Sequence, residues 1–382
     1  MKQKNKVPKD WVESKLIQCV DINKENLSDK NDKNIKFYYI DLSSVDKGTI
    51  NLPLNKIDFI NAPVRARRII NKDDILFSTV RPYLKGFAYI SFETNKEWIV
   101  STGFAVLTAK KNIISKYIYQ YLFLDKFLKQ IETCLLGSSY PALNSSDIEN
   151  LIITYPIGVK EQEKIVEILE LWDKAIETTK KLIEQKKLQK KYLMQKLLTG
   201  KIRLKGFKDK WKKKSFGDIF DYERPDNYIS KLDNYSNKYT TPVLTANKAF
   251  ILGYTNENRT YNKHSIIFDD FTLESKYVDF PYMVKSSAIK ILTTKSDYDL
   301  YFSFNLLNFT KLENLGHARH YISIVQSTKI LVPTNIAEQK AIADILSTAD
   351  KQIDLLKQKL SKLELQKKGL MQKLLTGEIR VC

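Results

Sequence analysis

The side chains of this 382-residue chain that could do chemistry are cations, amides and a few acids, and their spacing favours binding over catalysis. Three clusters set guanidinium or ammonium groups among turn residues and aromatics: Arg65, Arg67 and Arg68 in PVRARRII, Arg81 and Lys85 in STVRPYLKG, and Arg259 and Lys263 in NENRTYNKH. Arginine pairs bidentately with guanine or phosphate, and Asn or Gln with adenine, so these clusters are candidates for reading nucleic acid. Ser139, Tyr140, His317, Arg319 and His320, in polar turns ahead of the closing strand of each half, complete the candidate DNA-binding set together with Lys276.

Catalytic alternatives find less support. Asp269, Asp270, Glu274 and Lys276 in DDFTLESK have the residue types of a metal-dependent nuclease. The run is too short to place the acid and the ExK pair on two adjacent strands, and a solvated turn between strands accounts for it better. His317 and His320 form an HxxH without a nearby acid or thiol, a poor metal site. Cys19, Cys134 and Cys382 show no CxxC spacing, so neither a disulfide framework nor a zinc ribbon is expected. With 12 glycines the chain has no GxGxxG, no GxxxxGK[ST] and no FxGxG, and it lacks a PP dipeptide. Close approach of backbone to a nucleotide needs such turns, so methyl transfer and ATP hydrolysis on this chain are not expected. No serine or cysteine stands in a strand-to-helix elbow. The reading is a noncatalytic chain with no metal and no cofactor of its own.

The charge agrees with binding. Lys and Arg number 63 against 44 Asp and Glu, a formal charge of +19. That favours a polyanionic partner, because neutralising phosphates releases counterions. Nucleic acid comes first and an anionic membrane surface second. There is no run of about 18 apolar residues and the opening MKQKNKVPKDW has no apolar signal core, so a cytoplasmic protein is expected.

The elements that must position these groups are announced by a repeat. Residues 156 to 203 return at 333 to 380 without a gap, half of the aligned positions are identical, and KxLMQKLLTGxIR is kept in full. The segments before the two copies are unlike each other. In the second copy Ile342, Leu346, Ala349, Ile353, Leu356, Leu360, Leu363, Lys367, Leu370 and Leu374 alternate spacings of four and three, the sign of a helix with a coiled-coil seam. The first copy matches with Ile165, Leu169, Trp172, Ile176, Thr179, Ile183, Lys186, Lys190, Leu193 and Leu197, its lysines diluting the middle. Ile342 to Leu374 would span roughly 50 Å at about 1.5 Å per residue. Pro156 and Pro333 end the preceding strands, and Gly200 and Gly377 stand where each helix should stop. If the two seams pack on each other, the helices run antiparallel.

The predicted fold is therefore α+β: two mixed α/β modules separated by two long antiparallel helices, with an internal pseudo-twofold repeat. The boundaries read as module 1 over 1–155, spacer helix 1 over 156–203, module 2 over 204–332 and spacer helix 2 over 333–382. FYYIDL, DILFSTV, GFAYISF, TGFAVLTA, YTTPVLTA, HSIIFDDF and SSAIKILTT have strand composition. Residues 116 to 131 and 301 to 312 have helical spacing. Trp11 and Trp211 open the modules in parallel.

The paired EQxxIxxIL…D…I…LQKKxLMQKLLTGxIR segments resemble the two conserved regions of specificity subunits of type I restriction-modification enzymes. The P-x(2)-EQ openings, Asp173 with Asp350, and the LMQKLLTG endings carry the resemblance. GSSYPALNSSDIENLIITYP and GHARHYISIVQSTKILVP resemble the ends of target recognition domains. The resemblance implies a noncatalytic subunit that recognises a bipartite sequence of double-stranded DNA, one half per module, and docks two methyltransferase subunits and two restriction subunits. S-adenosylmethionine, ATP and Mg would belong to those partners. Three other readings stay open: the specificity arm of a related system with a fused methyltransferase-nuclease partner, a coiled-coil scaffold that does not bind DNA, and a metal-dependent nuclease using Asp269 and Glu274.

Overall fold

The first strand of each module closes against its last. In a computed structural model, which describes residues 7–28, 35–135, 141–231, 235–247, 249–312 and 320–381, the chain divides into two units. Residues 1–179 with 359–382 make unit 1, and residues 180–358 make unit 2.

Unit 1 runs β1 (Trp11–Lys15), α1 (Leu16–Cys19), β2 (Val20–Ile22), β3 (Lys36–Ile40), β4 (Val45–Asp46), β5 (Thr49–Ile50), β6 (Ile57–Asp58), β7 (Ala66–Ile69), β8 (Ile75–Ser78), β9 (Phe87–Tyr89), β10 (Trp98–Ser101) and β11 (Phe104–Ala109). The helices α2 (Ser115–Tyr121), α3 (Asp125–Cys134) and α4 (Ser145–Asn150), then β12 (Ile152–Pro156), lead into α5 (Val159–Leu197). β1 pairs antiparallel with β12, and two four-stranded sheets have the orders β2-β11-β8-β9 and β6-β3-β10-β7. In β8 all four residues are buried, because alternate side chains enter different cores. Ile75 and Phe77 join Leu107 and the helices, while Leu76 joins Ala88 and Val106 on the other side. A period of two with apolar residues on both faces reads in sequence as an unbroken apolar run.

Unit 2 repeats the plan with β13 (Lys212–Ser215), α6 (Phe216–Ile219), β14 (Phe220–Glu223), β15 (Thr241–Leu244), β16 (Ile251–Thr255), β17 (Ser265–Asp269), β18 (Ser275–Val278), β19 (Met283–Val284), β20 (Ile289–Thr294), α7 (Leu300–Phe309), β21 (Lys329–Val332) and α8 (Ile336–Leu374). β13 pairs with β21, as β1 does with β12, and β14-β20-β17-β18 matches β2-β11-β8-β9. The remaining sheet has three strands, β16-β15-β19. Where unit 1 has β7 beside β10, unit 2 has a single antiparallel bridge, Tyr261 to Tyr282. The modules are thus alike in strand order and unlike in their connections. Residues 116 to 131 are two helices, not one, since the helix breaks between Tyr121 and Asp125.

The long helices α5 and α8 each span 39 residues and each serves both units. In unit 1, Ile165, Val166 and Leu169 of α5 pack in one core with Met371, Leu374 and Leu375 at the far end of the second copy. In unit 2, Leu197 and Leu198 share a core with Ile342, Ala343 and Leu346. Burying each large apolar side chain contributes about 1.5–3 kcal/mol. The order of partners makes the pairing antiparallel within each unit. The seam positions Trp172, Ile176, Leu193, Ala349, Leu356, Leu360, Leu363 and Leu370 are half-buried, and Ile183 and Ile353 are buried.

The repeated polar residues make matching bonds in both units, and the arginines join one copy's end to the other copy's start. Arg380 Nε and Nη2 donate to Glu161 at 2.6 and 2.8 Å, and Arg203 does the same to Glu338 at 2.6 and 2.8 Å. Each guanidinium also lies over a tryptophan, Arg380 on Trp11 and Arg203 on Trp211. Gly377 and Gly200, with φ of +72 and +68, end the helices against those same rings. Gln162 and Gln339 tie each helix start to its module. Gln162 accepts from Ile114 N and donates to Pro156 O, and Gln339 accepts from Asp299 N and donates to Pro333 O.

Lys190 does not dilute the first seam as expected, whereas Lys186 bonds only along its own helix, to Gln189 at 3.2 Å. Lys190 Nζ donates to both Asp350 oxygens at 2.7 and 2.6 Å, and Lys367 Nζ donates to Asp173 at 2.6 Å. A paired polar group at a seam position fixes register, which an all-leucine seam does not. The third partner differs: Tyr301 donates its phenol to Asp350, whereas Gln120 donates to Asp173.

Candidate nucleic-acid interface

In unit 1 the backbone brings Arg65 and Arg81 to one edge. Thr102 N donates to Arg65 O at 2.8 Å and Thr79 N to Gly103 O at 2.9 Å, so the turn between β10 and β11 joins Arg65 to the segment that carries Arg81. Arg81 N donates to Pro141 O at 2.7 Å, which ties the same edge to the segment ahead of α4. Arg65 and Arg81 are exposed, together with Val64 and Leu84. Arg81 and Lys85 bracket the tight turn Pro82–Leu84 with φ of +47 and +61, a conformation unfavourable for side-chain-bearing residues. Such strain persists where surrounding contacts over-determine it, commonly at functional sites.

Two neighbours in the arginine cluster are engaged within the module. Arg67 lies 5.2 Å from the Phe59 ring and donates to Ala66 O, and Arg68 donates to Asn26 Oδ1 at 2.6 Å. Burial lowers the pKa of Arg68. The strand alternation of β7 had hidden this, because three arginines in four residues must point to two faces.

In unit 2, Arg259 and Lys263 are exposed on the connection between β16 and β17. Lys276 is half-buried on β18 opposite Ile267. Ser139, Tyr140, His317 and Arg319 lie outside the described residues. His320 is fully buried rather than presented on a surface loop. Its Nδ1 donates to Asp270 O at 2.8 Å, and the backbone N–H of Tyr321 donates to Asp270 Oδ1 at 2.8 Å. Asp270 Oδ2 also meets Lys290 Nζ at 3.3 Å in an ion pair with both side chains about 95% buried or more. Asp269 Oδ1 accepts from Phe271 N and Thr272 N, closing the turn between β17 and β18. Asp269 and Asp270 therefore hold loops in place, while Glu274 is exposed.

Residue typing also missed a concavity of about 660 Å³ in unit 2 whose lining includes Tyr254, Asn258, Thr260 and Asn262. The signal for it was the alternation in NENRTYNKH, where Asn256, Asn258, Thr260 and Asn262 place an amide or hydroxyl at every second position.

A helical frame that occurs twice, holding two modules of matching strand order, defines a protein built from two related halves. The family described as "Type I restriction modification DNA specificity domain" matches residues 8–187 and 208–365, and the chain belongs to that family, the specificity subunits of type I restriction-modification systems. It is 38% identical over 164 residues, 40% of each chain, to the Escherichia coli type I restriction enzyme EcoR124I/EcoR124II specificity subunit. Similarity to the putative type I restriction enzyme MjaX specificity subunit of Methanocaldococcus jannaschii is 26% over 98% of this chain and 95% of that one. Among solved structures, the S subunit of the type I restriction-modification system from M. genitalium superposes with a TM-score of 0.63 at 16% identity, over 98% of each chain. A chain from a structural study of complex assembly and conformational transition in the type I R-M system gives 0.61 at 18% identity, over 98% of this chain and 100% of that one. These two likenesses establish the fold.

Proposed function

We propose that this chain reads a split sequence on double-stranded DNA, half through each unit, and docks methyltransferase and restriction subunits that carry all the catalysis. The observation that carries this is the identical frame. Glu161, Gln162, Asp173, Lys367 and Arg380 bond in unit 1 as Glu338, Gln339, Asp350, Lys190 and Arg203 do in unit 2, while the exposed edges they support differ. A frame kept constant under two different edges suits two half-sites with one common set of partners. The net charge of +19 suits phosphate contact.

Docking has its own support. Leu188 and Leu365, the same position of the two copies, are 66% and 71% exposed on the outer helix faces. A repeated exposed leucine suits a partner that binds twice. Such partners would bring S-adenosylmethionine, ATP and Mg. No helix among the described residues is long and apolar enough to cross a membrane, and the working site we assign is the cytoplasm.

The deciding experiment is single-molecule methylation mapping of DNA from cells that hold a cognate methyltransferase with and without this chain. N6-methyladenine confined to one split motif, and only when the chain is present, is the expected result. Methylation indifferent to the chain would return the scaffold reading. A partner in which methyltransferase and nuclease are one polypeptide would identify the fused system instead.

A further inference from the structure

We infer that the concavity of unit 2 reads an A·T base pair, with Asn258 and Asn262 as the specificity-determining residues and Arg259 and Lys263 on the flanking phosphates. This rests on the DNA-reading function proposed above and goes further by assigning roles and a base class. Along 258–262 the chain alternates: Asn258, Thr260 and Asn262 line the concavity, while Tyr261 turns into the core and Arg259 projects to solvent. Tyr261 is held by two backbone hydrogen bonds to Tyr282, 2.8 and 3.1 Å, which fix which residues face the cavity. Thr260 Oγ1 donates to Asn262 Oδ1 at 2.7 Å and so leaves the Asn262 amide N–H groups aimed elsewhere. The Asn258 side-chain amide has no hydrogen bond among the described residues.

The lining chemistry selects the base. Guanine is read by Arg or Lys and cytosine by a carboxylate, and no charged side chain lines this cavity. An amide matches the donor and acceptor of adenine N6 and N7, and the apolar lining of Ile251 and Phe280 suits the thymine methyl. The neutral lining with flanking cations separates base reading from phosphate anchoring. On unit 1 the exposed Arg65 and Arg81 offer the opposite, guanine-type chemistry, so the two edges differ in kind.

The test uses the full chain with its methyltransferase, methylation mapping, and binding to duplexes carrying each single-base substitution of the mapped motif over a range of salt. The Asn258→Ala/Asn262→Ala variant should relax one A·T position in one half-site, shrinking discrimination there by about tenfold to a hundredfold. The other half-site and the salt slope should not change. Arg259→Ala should weaken every duplex alike and reduce the salt slope by about one. Asn258→Asp, which keeps shape, guards against misfolding and should lose the A·T preference at that position. A wild-type split motif that stays unaltered in both the double variant and Asn258→Asp overturns the assignment. Absence of any split motif with the wild-type chain would instead fail the underlying DNA-reading function, and with it this inference.

Discussion

Replacing Lys190 by leucine looks, on the heptad, like a repair: it would make the first copy's seam more apolar. The structure gives the opposite result. Lys190 and Asp350 are 19% and 30% exposed, with two N–O distances of 2.6 to 2.7 Å, and Tyr301 adds a third bond to the same carboxylate. Proximity to that carboxylate, after burial, raises the pKa of the Tyr301 phenol. A charged hydrogen bond contributes about 1.5–3 kcal/mol, discounted here for partial exposure. The lysine stem already covers apolar surface, so leucine recovers less than about 1 kcal/mol. The expected net loss is about 1–2 kcal/mol, or roughly a 5- to 30-fold acceleration of amide exchange in the α5 segment 183–197. Hydrogen exchange read by mass spectrometry resolves that segment without assuming that both units unfold together. Lys190→Leu with Asp350→Leu should recover most of the loss, because no charge is then left unpartnered. Exchange in Lys190→Leu as slow as in the parent chain would refute the register-lock reasoning.

Further outcomes follow from the same frame. Arg380 holds the Glu161 carboxyl below the ordinary carboxylate value of 4.5, so its stabilisation is complete above that pH and is lost as pH falls through the depressed value. Acid should therefore loosen unit 1 in hydrogen exchange below about pH 4.5, and Arg380→Ala should flatten that dependence. Gly377→Ala should destabilise more than Gly200→Ala by thermal melting. Both pay about 1–2 kcal/mol for a left-handed residue, but only at Gly377 would the new Cβ come within 2.6 Å of Pro8. Leu188→Glu with Leu365→Glu should abolish co-purification of a methyltransferase subunit while salt-dependent DNA binding of the chain persists.

The frame was legible because its signals are local and doubled. The seam spacing, the prolines at 156 and 333 and the glycines at 200 and 377 each act within a few residues, and each is said twice. Strand positions were legible from composition, although the loss of β7's counterpart in unit 2 was not, since a single Tyr261 bridge leaves no strand pattern. The cations resisted reading for another reason. Whether an arginine is committed internally can depend on a residue far away in sequence, as Arg68 does on Asn26, 42 positions earlier, and the burial of His320 depends on Asp270, fifty positions earlier. Lys190 was misjudged for the same cause, its partner being 160 residues away.

The crossed use of the two helices also orders the birth of the protein. Unit 2 is one continuous stretch, 180–358, and all its core residues, from Leu197 to Leu346, can meet as soon as that stretch has left the ribosome. Unit 1 is made first but closes last, since Ile165, Val166 and Leu169 wait for Met371, Leu374 and Leu375. During that interval the module of unit 1 carries an uncovered apolar face on the nascent chain, the kind of surface that chaperones shield. Of the two modules, the one synthesised earlier is thus the one whose completion waits for the helix end that follows the later one.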